Sequence, residues 1–408
     1  MKRVLILGGG FAGAAAGRGL GRRLDVTIVS QDNFLLFTPM LAEAAAGDVD
    51  PRHIVTPIRQ LAPHARLVQG TVSKIDPDQG SVEVKPLFGE DVINLQADSL
   101  VIALGSVPNT FGVPGVEENS LPFKTISDAL RIRNRLLALL EHSTIHPDPR
   151  ITSVVVIGAG YSGAEAAGAL ADFLHPAAAR YYKDAPTPTV ALVDAAERVT
   201  PALSPALSKA AARALVARGV DLALGSAVAE VAPGAVRLGN GQIIEAATVI
   251  WTAGVKPNPL IAELGLPTDK GRLVVDRQLR VAPGVFAAGD AALSESGGGL
   301  SPPTAQFAIR EGRYLGRHLP QLLESGRDVP AFRYSTKGEL VSLGHRNAVG
   351  RVLGIPVSGF PAWFLWRTYY LWQLPSALRK ARVAIDWTLD LLFPPDVAWI
   401  PSSDLGPN

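Results

Sequence analysis

The chain has 408 residues, more than one typical domain holds, so about two or three domains are expected, each with its own core. Its composition, 47% hydrophobic and 19% charged, is that of a folded protein. The formal net charge is only +2 and no basic tract occurs, so no nucleic acid partner is predicted. The chain has no cysteine, which excludes a disulfide framework, a thiolate nucleophile, iron–sulfur ligation and a redox-active dithiol. No metal site is predicted.

The first predicted elements are an apolar strand over residues 3–7, a glycine-rich loop over residues 8–13, and a helix over about residues 11–22. In such a loop the first glycine permits a tight turn, the second lets backbone amides reach a pyrophosphate, and the third lets the helix pack on the strand. The helix N-terminus then offers free N–H groups to the phosphates. The predicted dinucleotide contacts in this loop are Gly8, Gly10, Phe11, Ala12 and Gly13.

The basic residues at the start imitate a secretory signal, but the glycine loop interrupts the apolar region that such a signal needs, so secretion is not predicted. A second strand over residues 26–29 predicts a parallel sheet. Alternation over residues 65–76 and 81–85 predicts strands of a smaller antiparallel piece. Residues 100–104 predict a buried strand that ends in a turn at Gly105.

A second loop of the same pattern begins at Gly158, 150 residues after Gly8, between the apolar residues 154–157 and an alanine-rich helix. One such loop is a weak signal, because similar segments occur wherever a strand turns into a close-packed helix; a pair indicates two bound dinucleotides. The predicted contacts in this loop are Gly158, Gly160, Tyr161, Ser162 and Gly163. Residues 175–188 contain three prolines and predict a surface insertion before the next strand.

A further buried strand and turn over residues 285–290 predicts a return to the first nucleotide unit, so that the second unit is inserted in it. We therefore predict an α/β fold with two Rossmann-like dinucleotide-binding domains and a small C-terminal segment. The predicted boundaries are residues 1–112 and 256–330 for the first domain, 113–255 for the second, and 331–408 for the C-terminal segment.

The C-terminal segment contains five of the six tryptophans after residue 360. Pro361 and Pro375 bracket one predicted helix, and a second over about residues 376–393 carries an apolar stripe. The stripe consists of Leu378, Ala381, Ile385, Leu389 and Leu392. No run of about 18 apolar residues is predicted to span a bilayer. An aromatic, amphipathic helix pair is typical of a membrane surface, although a buried domain or dimer interface has similar residues.

These motifs resemble the two-dinucleotide-binding flavoprotein reductases and, within them, the type II NADH:quinone oxidoreductases, which are single-subunit peripheral membrane enzymes. Beyond the two loops and the tryptophan-rich end, the resemblance is carried by residues 37–41, 104–109, 288–290, 302–308 and 337–340. The chain departs from the family pattern at two positions. Ser30 stands where relatives often have an acid for the flavin-side ribose, which leaves Asp32 or the backbone in that role. Relatives often have glutamine in the region of Ile309 to Gly312, where this chain has Glu311.

The resemblance assigns FAD to the first loop. Asp290 is expected to accept hydrogen bonds from ribityl hydroxyls, although an aspartate here could also be a helix N-cap. The helix that starts near residue 305 is expected to direct its N-terminus at the flavin, and Gln306 is expected to line the quinone pocket unless it is simply solvated. The expected FAD contacts outside the loop are Thr38, Pro39, Gly105, Asp290, Ala305 and Gln306.

The resemblance assigns NADH to the second loop. Glu165 is expected beside the nicotinamide, to orient it or to assist proton delivery, although acids are common in the first turn of any helix. Asp194 ends a strand and is the expected acceptor for the ribose 2′-hydroxyl, which implies NADH, while Arg198 leaves NADPH open. The expected NADH contacts outside the loop are Glu165, Asp194 and Gly254, and the expected catalytic residues are Glu165, Gln306 and Lys337. A surface lysine is the alternative for Lys337.

The predicted activity is hydride transfer from NADH to flavin, followed by transfer of two electrons to a membrane quinone, ubiquinone or menaquinone, without proton pumping. A quinone is lipid-soluble, so the predicted location is peripheral, on the cytoplasmic face of the cell membrane. The C-terminal aromatics are expected to lie at headgroup depth, with the basic residues toward lipid phosphates, and a homodimer is a further prediction. The predicted basic residues are Arg367, Arg379, Lys380 and Arg382. The alternatives are a soluble NAD(P)H-dependent flavoreductase for a protein acceptor such as ferredoxin, and a non-catalytic nucleotide-sensing module.

Overall fold

The computed structural model describes residues 1–296, 299–324, 329–336 and 338–399. By contact density these residues form two units, each assembled from three stretches of chain. Unit 1 comprises Met1–Leu36, Val55–Val107 and Val255–Thr336. Unit 2 comprises Phe37–Ile54, Pro108–Gly254 and the described residues from 338 onward.

This grouping differs from the predicted domains at two places. Residues 37–54, predicted within the FAD domain, pack in unit 2. The described residues after 337, predicted as a separate segment, also pack in unit 2, against the helix that follows the second glycine loop and against the helix Pro205–Val216. The predicted domain boundaries stay a prediction.

Ten α-helices occur within the described ranges. They are α1 (Phe11–Leu20), α2 (Leu41–Ala46), α3 (Ile58–Leu61), α4 (Val116–Asn119), α5 (Ile126–Ile145), α6 (Tyr161–Tyr181), α7 (Pro205–Val216), α8 (Ala305–Glu324), α9 (Phe360–Gln373) and α10 (Ala377–Leu392). Short 3-10 turns cover Thr38–Met40, Pro51–His53, Pro259–Glu263 and Gly289–Ala291.

The centre of unit 1 is an eight-stranded sheet. Its strands, from one edge to the other, are Arg280–Ala282, Val285–Ala287, Ser99–Ile102, Arg3–Leu7, Asp25–Ser30, Arg66–Asp76, Ser81–Pro86 and Ile93–Gln96. The middle strands pair in parallel and are buried almost throughout, as expected for a sheet covered on both faces. The predicted antiparallel piece is part of this sheet, because Arg66–Asp76 pairs in parallel with Asp25–Ser30 at its start and antiparallel with Ser81–Pro86 further along.

The centre of unit 2 is a five-stranded parallel sheet. Its strands, in order, are Leu121–Pro122, Thr248–Trp251, Ser153–Ile157, Thr189–Asp194 and Val220–Leu224. The second glycine loop leaves the central strand of this sheet, as the first leaves Arg3–Leu7 in unit 1. Both sheets thus place a loop-to-helix transition at the carboxyl end of an inner parallel strand, where α/β proteins bind ligands.

The other strands form smaller sheets. In unit 2 these are Val228–Ala232 with Ala235–Leu238 and Ile243–Glu245, and Gly338–Ser342 with Ala348–Val352 and Ile355–Gly359. The remaining pairings are Phe34–Leu36 with Val55–Pro57, Ser106–Pro108 with Val255–Pro257, Thr268–Asp269 with Arg272–Val274 and Ala292–Leu293, and Glu295–Ser296 with Gly299–Leu300.

The predicted surface insertion over residues 175–188 is wrong in its first half. Helix α6 continues through Pro176 to Tyr181, and Ala177 and Ala178 are buried in the core of unit 2. Proline removes one helical hydrogen bond, and burial of the following turn offsets that cost here. Among the described residues, no helix is long and apolar enough to cross a membrane.

Candidate active site

The three spaced glycines of the first loop serve different purposes. Gly8 has a φ of +115°, and a Cβ there would lie 2.1 Å from the Ala103 carbonyl oxygen. A Cβ on Gly13 would lie 1.9 Å from the Gly8 carbonyl oxygen, so helix and loop touch backbone to backbone. A Cβ on Gly10 would meet nothing within 4 Å. The loop therefore needs Gly8 and Gly13 for its own shape, while Gly10 leaves open space in which a phosphate can approach.

Helices α1 and α8 pack side by side through small residues. A Cβ on Gly312 would lie 2.2 Å from the Ala12 carbonyl oxygen, and Gly316 lies against Ala16 and Gly19 further along both helices. Because the contacts advance together along the two helices, α1 and α8 are parallel and their N-termini lie at the same end. Two positive dipole ends next to an open glycine loop favour a negatively charged ligand.

Asp290 joins this end of unit 1. Gly289 has a φ of +72°, and a Cβ there would lie 3.3 Å from the Ala12 Cβ and 3.4 Å from the Ala308 Cβ. The Ser106 hydroxyl donates a hydrogen bond of 2.6 Å to the Asp290 carboxylate. The glycine lets Asp290 sit beside both helix N-termini, as a ligand for hydroxyl groups would require.

Glu311 fixes the backbone that carries Asp290. It is buried, and its carboxylate accepts 2.6 Å hydrogen bonds from the Gly289 N–H and the Ser294 hydroxyl. Burial raises the pKa of Glu311 to about 7, against the lowering effect of these donors. Sequence reasoning noted Glu311 only as a departure from relatives and did not propose Ser106 as a site residue.

The remaining predicted FAD contacts lie in both units. Gln306 lies in the first turn of α8, which begins at Ala305, and its side-chain oxygen accepts hydrogen bonds from Tyr334 (3.0 Å) and Thr336 (3.4 Å). Gly105 has a φ of +70° in unit 1. Thr38 and Pro39 belong to unit 2, where Pro39 lines a cavity beside Glu165. Lys337 lies outside the described residues.

The residues of unit 1 fit a flavin dinucleotide. The open space at Gly10 and the N-terminus of α1 suit a pyrophosphate, and the Asp290 carboxylate, beside the first turn of α8, suits the hydroxyls of a ribityl chain. Ser30, at the end of the second strand, lies against Gly9 and offers a hydroxyl in place of a carboxylate.

The second glycine loop repeats the first. Gly158 has a φ of +109°, and a Cβ there would lie 2.7 Å from the Thr252 Oγ1 atom. A Cβ on Gly163 would lie 1.7 Å from the Gly158 carbonyl oxygen, whereas a Cβ on Gly160 would meet nothing within 4 Å. Gly254 has a φ of +77°, and a Cβ there would collide with the Phe111 ring at 2.8 Å. Unit 2 therefore carries a second glycine loop and helix N-terminus of the same geometry; each such pair is called a cradle below.

Asp194 holds this cradle from the end of its strand. Its carboxylate accepts hydrogen bonds from the backbone N–H groups of Ala159, inside the loop, and Ala196 (2.7 Å). A carboxylate has about four acceptor positions, so two remain for ribose hydroxyls. The structure thus places Asp194 at the loop, as predicted from its position in the sequence.

Glu165 lies where α6 packs against the strand Gly338–Ser342. Its carboxylate accepts a hydrogen bond of 3.2 Å from the Ser342 N–H, and one turn earlier the Tyr161 hydroxyl donates to Glu339 at 2.6 Å. Burial raises the pKa of Glu165 to about 8, and the negative charge of Glu43 contributes. Burial and the Glu339 carboxylate also raise the pKa of Tyr161. An ordinary exposed acid in the first turn of a helix would have neither the Ser342 hydrogen bond nor the raised pKa of Glu165. Ser162, in the same turn, is exposed.

Comparison with known proteins identifies the family. A profile described as pyridine nucleotide-disulphide oxidoreductase matches residues 2–312. The chain belongs to this family. It is 31% identical to a probable NADH dehydrogenase of Dictyostelium discoideum, over 97% of this chain and 91% of the relative. It is 30% identical to the type II NADH:quinone oxidoreductase Ndh of Mycobacterium tuberculosis, over 96% of this chain and 88% of that protein.

The fold has a close counterpart among solved structures. NDH2 from Plasmodium falciparum in complex with NADH matches with a TM-score of 0.91 at 20% identity, covering 97% of this chain and 99% of that one. The predicted α/β fold with Rossmann-like sheets and the resemblance to type II NADH:quinone oxidoreductases are both confirmed. This member of the disulphide oxidoreductase family has no cysteine, so its chemistry does not use a disulfide.

The C-terminal helices of this family member correct part of the prediction for lipid contact. Arg367 is not lipid-facing: it is buried, its guanidinium lies over the rings of Trp363 (4.3 Å) and Trp387 (4.6 Å), and it is 3.7 Å from Asp390. Burial lowers the pKa of Arg367. Trp363 and Trp366 are core residues as well. Stacking on aromatic rings and pairing with an acid stabilise a buried guanidinium. The sequence pattern did not reveal that Arg367 is buried.

The predicted apolar stripe of α10 faces outward. Its inward face carries Val383 and Trp387, while the exposed side chains of the stripe are Leu378, Ile385, Leu389 and Leu392. Further exposed apolar side chains on α9 and around the two helices are Phe360, Phe364, Leu365, Trp372 and Phe393. Trp372 is 76% exposed, and the Lys380 ammonium lies 4.8 Å from its ring centre. An apolar surface of this kind marks a site that binds another apolar surface.

Proposed function

We propose that this chain oxidises NADH through bound FAD and reduces a membrane quinone, without moving protons across the membrane. Family membership supports the enzyme class, a type II NADH dehydrogenase, together with FAD as cofactor and NADH as substrate. The observation that carries the proposal is the pair of matching glycine cradles, one completed by Asp290 and the other by Asp194. When bound, FAD supplies the chemistry: it takes hydride from the nicotinamide and passes two electrons to the quinone.

The residues of unit 1 bind and orient the cofactor. Free N–H groups at the start of α1, beside the open space at Gly10, would hold the pyrophosphate, and the Asp290 carboxylate would accept hydrogen bonds from ribityl hydroxyls. The start of α8 adds positive potential, which favours negative charge on the cofactor. Gln306, restrained by Tyr334 and Thr336, presents its amide to the quinone.

The residues of unit 2 select and orient NADH. The Asp194 carboxylate accepts hydrogen bonds from the ribose hydroxyls and repels a 2′-phosphate, so NADH is preferred to NADPH. The Glu165 carboxyl, with a pKa raised to about 8, carries a proton near neutral pH and can donate a hydrogen bond. Lys337 remains a candidate for stabilising negative charge at the flavin.

The acceptor is proposed to be ubiquinone or menaquinone, reached from the membrane surface. The outward apolar stripe of α10, with Trp372 and Lys380, suits an interfacial helix pair on the cytoplasmic face. A homodimer built on the same surface is the alternative occupant. A protein acceptor would leave this apolar surface without a purpose.

Absorbance spectroscopy tests the activity. The purified protein should be yellow, NADH should bleach the flavin colour, and a soluble quinone should restore it. Reduction without reoxidation by quinone would favour a protein acceptor such as ferredoxin. A protein that takes up no flavin would contradict the whole proposal.

Vesicle flotation tests the membrane surface. Replacing Ile385 and Leu392 by glutamate should strongly reduce recovery with vesicles of zwitterionic and anionic lipid, because charge is costly at the acyl boundary. Val216→Glu, at an exposed apolar residue on α7, is the matched control and should float like the wild type. Unchanged flotation with loss of a dimer on gel filtration would assign the stripe to self-association.

A further inference from the structure

Unit 2 contains a small cavity beside Glu165. Its volume is about 10 Å³, room for about one water molecule. It is lined by Pro39, Ala42, Glu43, Asp48, Glu165, Ala169, Ser342, Gly344, His345, Trp363 and Trp366. The side chains of Glu43, Glu165, Asp48 and His345 give a water at this place the polar partners that it needs.

Two carboxyl groups, the buried Glu43 and the partly buried Glu165, line this cavity. Glu43 lies on α2, is 6% exposed, and accepts a hydrogen bond of 3.0 Å from the Trp387 indole N–H. Glu165 accepts one from the Ser342 N–H. The buried indole N–H of Trp366 has no acceptor in hydrogen-bonding geometry among the described residues, although Glu165 is near enough for the indole to favour its ionised form. A water between these groups would bond to all three.

A histidine with two acidic neighbours connects the cavity to bulk solvent. The His345 Nε2 atom lies 3.3 Å from an oxygen of Asp48 and 3.5 Å from one of Asp390. His345 and Asp48 line both the cavity and a groove of about 930 Å³ between α2, α5 and α10. The groove is much wider than a water molecule, so protons can reach His345 from outside.

The proposed reaction requires one proton from solvent in each turnover. NADH gives up a hydride, which carries two electrons and one proton, and becomes NAD⁺. The quinone takes up two electrons and two protons to become the quinol. One proton is therefore missing from the balance and must be delivered from water through the protein.

We propose that Glu43 is a proton-transfer residue that passes the missing proton from the His345–Asp48 pair, through the water-sized cavity, to Glu165. This inference rests on the proposed function. His345 releases its Nε2 proton to the cavity water, the water gives a proton to the carboxyl pair, and His345 is reprotonated from the groove. No electrons move in these steps, and each O–H or N–H bond that breaks is replaced by one that forms.

The proton affinities of the groups fit such a relay. Burial raises the pKa of Glu43 to about 8, partly opposed by the Arg367 charge and reinforced by Asp48 and Asp390. Glu165 has a pKa of about 8, and its charge contributes to the raised pKa of the partly buried Tyr370. Asp48 raises the pKa of His345 to about 9, with Asp390 and Asp172 contributing. Neighbouring groups of similar pKa exchange protons with little loss of driving force.

Replacing Glu43 by glutamine tests the relay, because the amide keeps the shape and an acceptor for Trp387 but carries no exchangeable acid proton. With NADH and a soluble quinone, Glu43→Gln should lower kcat about tenfold or more and increase the solvent deuterium isotope effect. With ferricyanide, which takes electrons without protons, the rate should stay within about twofold, because hydride transfer is untouched. Glu43→Asp should recover part of the quinone rate.

The matched control is Glu141→Gln, which removes a carboxylate that accepts a hydrogen bond from Tyr182 elsewhere in unit 2 and should leave both rates unchanged. A second readout is an infrared titration of the carboxylic C=O stretch in the apoprotein. The wild type should show carboxyls that titrate near pH 8, and Glu43→Gln should lose one and move the other to lower pH, because the Glu43 charge raises the pKa of Glu165.

Each outcome separates the relay from the proposed function. Equal quinone rates in wild type and Glu43→Gln would overturn the relay alone. Loss of both quinone and ferricyanide rates in Glu43→Gln would make Glu43 structural and overturn it as well. A wild type that reduces ferricyanide but no quinone would overturn the proposed function and this inference with it.

Discussion

The two glycine loops can be compared position by position. Gly8 and Gly158 have φ angles of +115° and +109°, and the N-cap residues Gly10 and Gly160 have ψ angles of −166° and −167°. The elements that complete them differ. In unit 1 a second helix, α8, packs against the loop helix through glycines, whereas in unit 2 the strand Gly338–Ser342 packs there and contributes Tyr161–Glu339 and Glu165–Ser342 contacts.

This difference separates what the two cradles can do. Unit 1 gains a second helix N-terminus, whose potential favours negative charge and suits a tightly held cofactor. Unit 2 gains a partly buried carboxyl of raised pKa, Glu165, which suits a substrate whose oxidation must be coupled to proton delivery. Under the proposed function, a common loop therefore serves a resident group in one unit and a passing substrate in the other.

Substitutions that block the two cradles one at a time should have the largest effect. A Cβ on Gly10 or Gly160 meets no protein atom within 4 Å, so alanine at either position should leave the fold intact. Gly10→Ala should nevertheless weaken FAD binding by about 100-fold or more, because the methyl group occupies the phosphate's approach, equivalent to about 3 kcal/mol. Gly160→Ala should keep its yellow colour and raise KM for NADH about tenfold or more. Absorbance measures the FAD content of both variants, steady-state kinetics measures their KM for NADH, and circular dichroism shows whether they are folded.

Reversed effects would contradict the assignment of the two nucleotides. If Gly160→Ala lost FAD while Gly10→Ala kept it, the cofactor would belong to unit 2. Loss of secondary structure in both variants would instead mean that the open space at these glycines is closed in the folded protein.

A substitution at the end of the strand Thr189–Asp194 tests how unit 2 selects its nucleotide. Asp194→Ser gives unit 2 the residue that unit 1 has at Ser30, removes the carboxylate that accepts from Ala159, and ends the repulsion of a 2′-phosphate. The ratio of kcat/KM for NADH over NADPH should fall about tenfold or more. Asp194→Asn is the control: its amide oxygen can still accept one loop hydrogen bond but carries no charge, so a loss of NADH preference in both variants would assign selectivity to charge. An unchanged ratio in both would move selectivity elsewhere in the cradle.

The loops were predictable because the first and third spaced glycines of each have a local steric cause, which a short sequence pattern reflects. Other features depend on contacts between distant residues. The pattern of α10 identified an apolar stripe but not which face is buried: the face with Trp387, whose ring lies under the buried Arg367, packs inward, and the stripe is exposed. Glu43 lies in an alanine-rich helix with no motif, and its partner Trp387 is 344 residues away in sequence. Such pairings require the fold before they can be recognised.

The buried acids of the two units should also differ in how they make the free energy of unfolding depend on pH. Glu311 in unit 1 has a pKa of about 7, and Glu43 in unit 2 of about 8, both raised from an ordinary value of 4.5 mainly by burial. The folded state therefore holds these protons when the unfolded chain has released them. Their contribution is fully present below about pH 4.5 and is lost as pH rises through the folded-state pKa, so stability should fall between pH 5 and 8.

Amide variants should remove these losses separately. Glu311→Gln should flatten the decline up to about pH 7, and Glu43→Gln the decline up to about pH 8, each by on the order of 3–5 kcal/mol in the free energy of unfolding. Thermal unfolding followed by circular dichroism from pH 5 to 9 measures the slopes, and Glu141→Gln controls for the general loss of a carboxylate. Parallel slopes in wild type and both variants would mean that the two carboxyls are ionised in the folded protein. A slope that flattens in Glu43→Gln alone would confine the protonated acids to unit 2, where proton delivery is proposed.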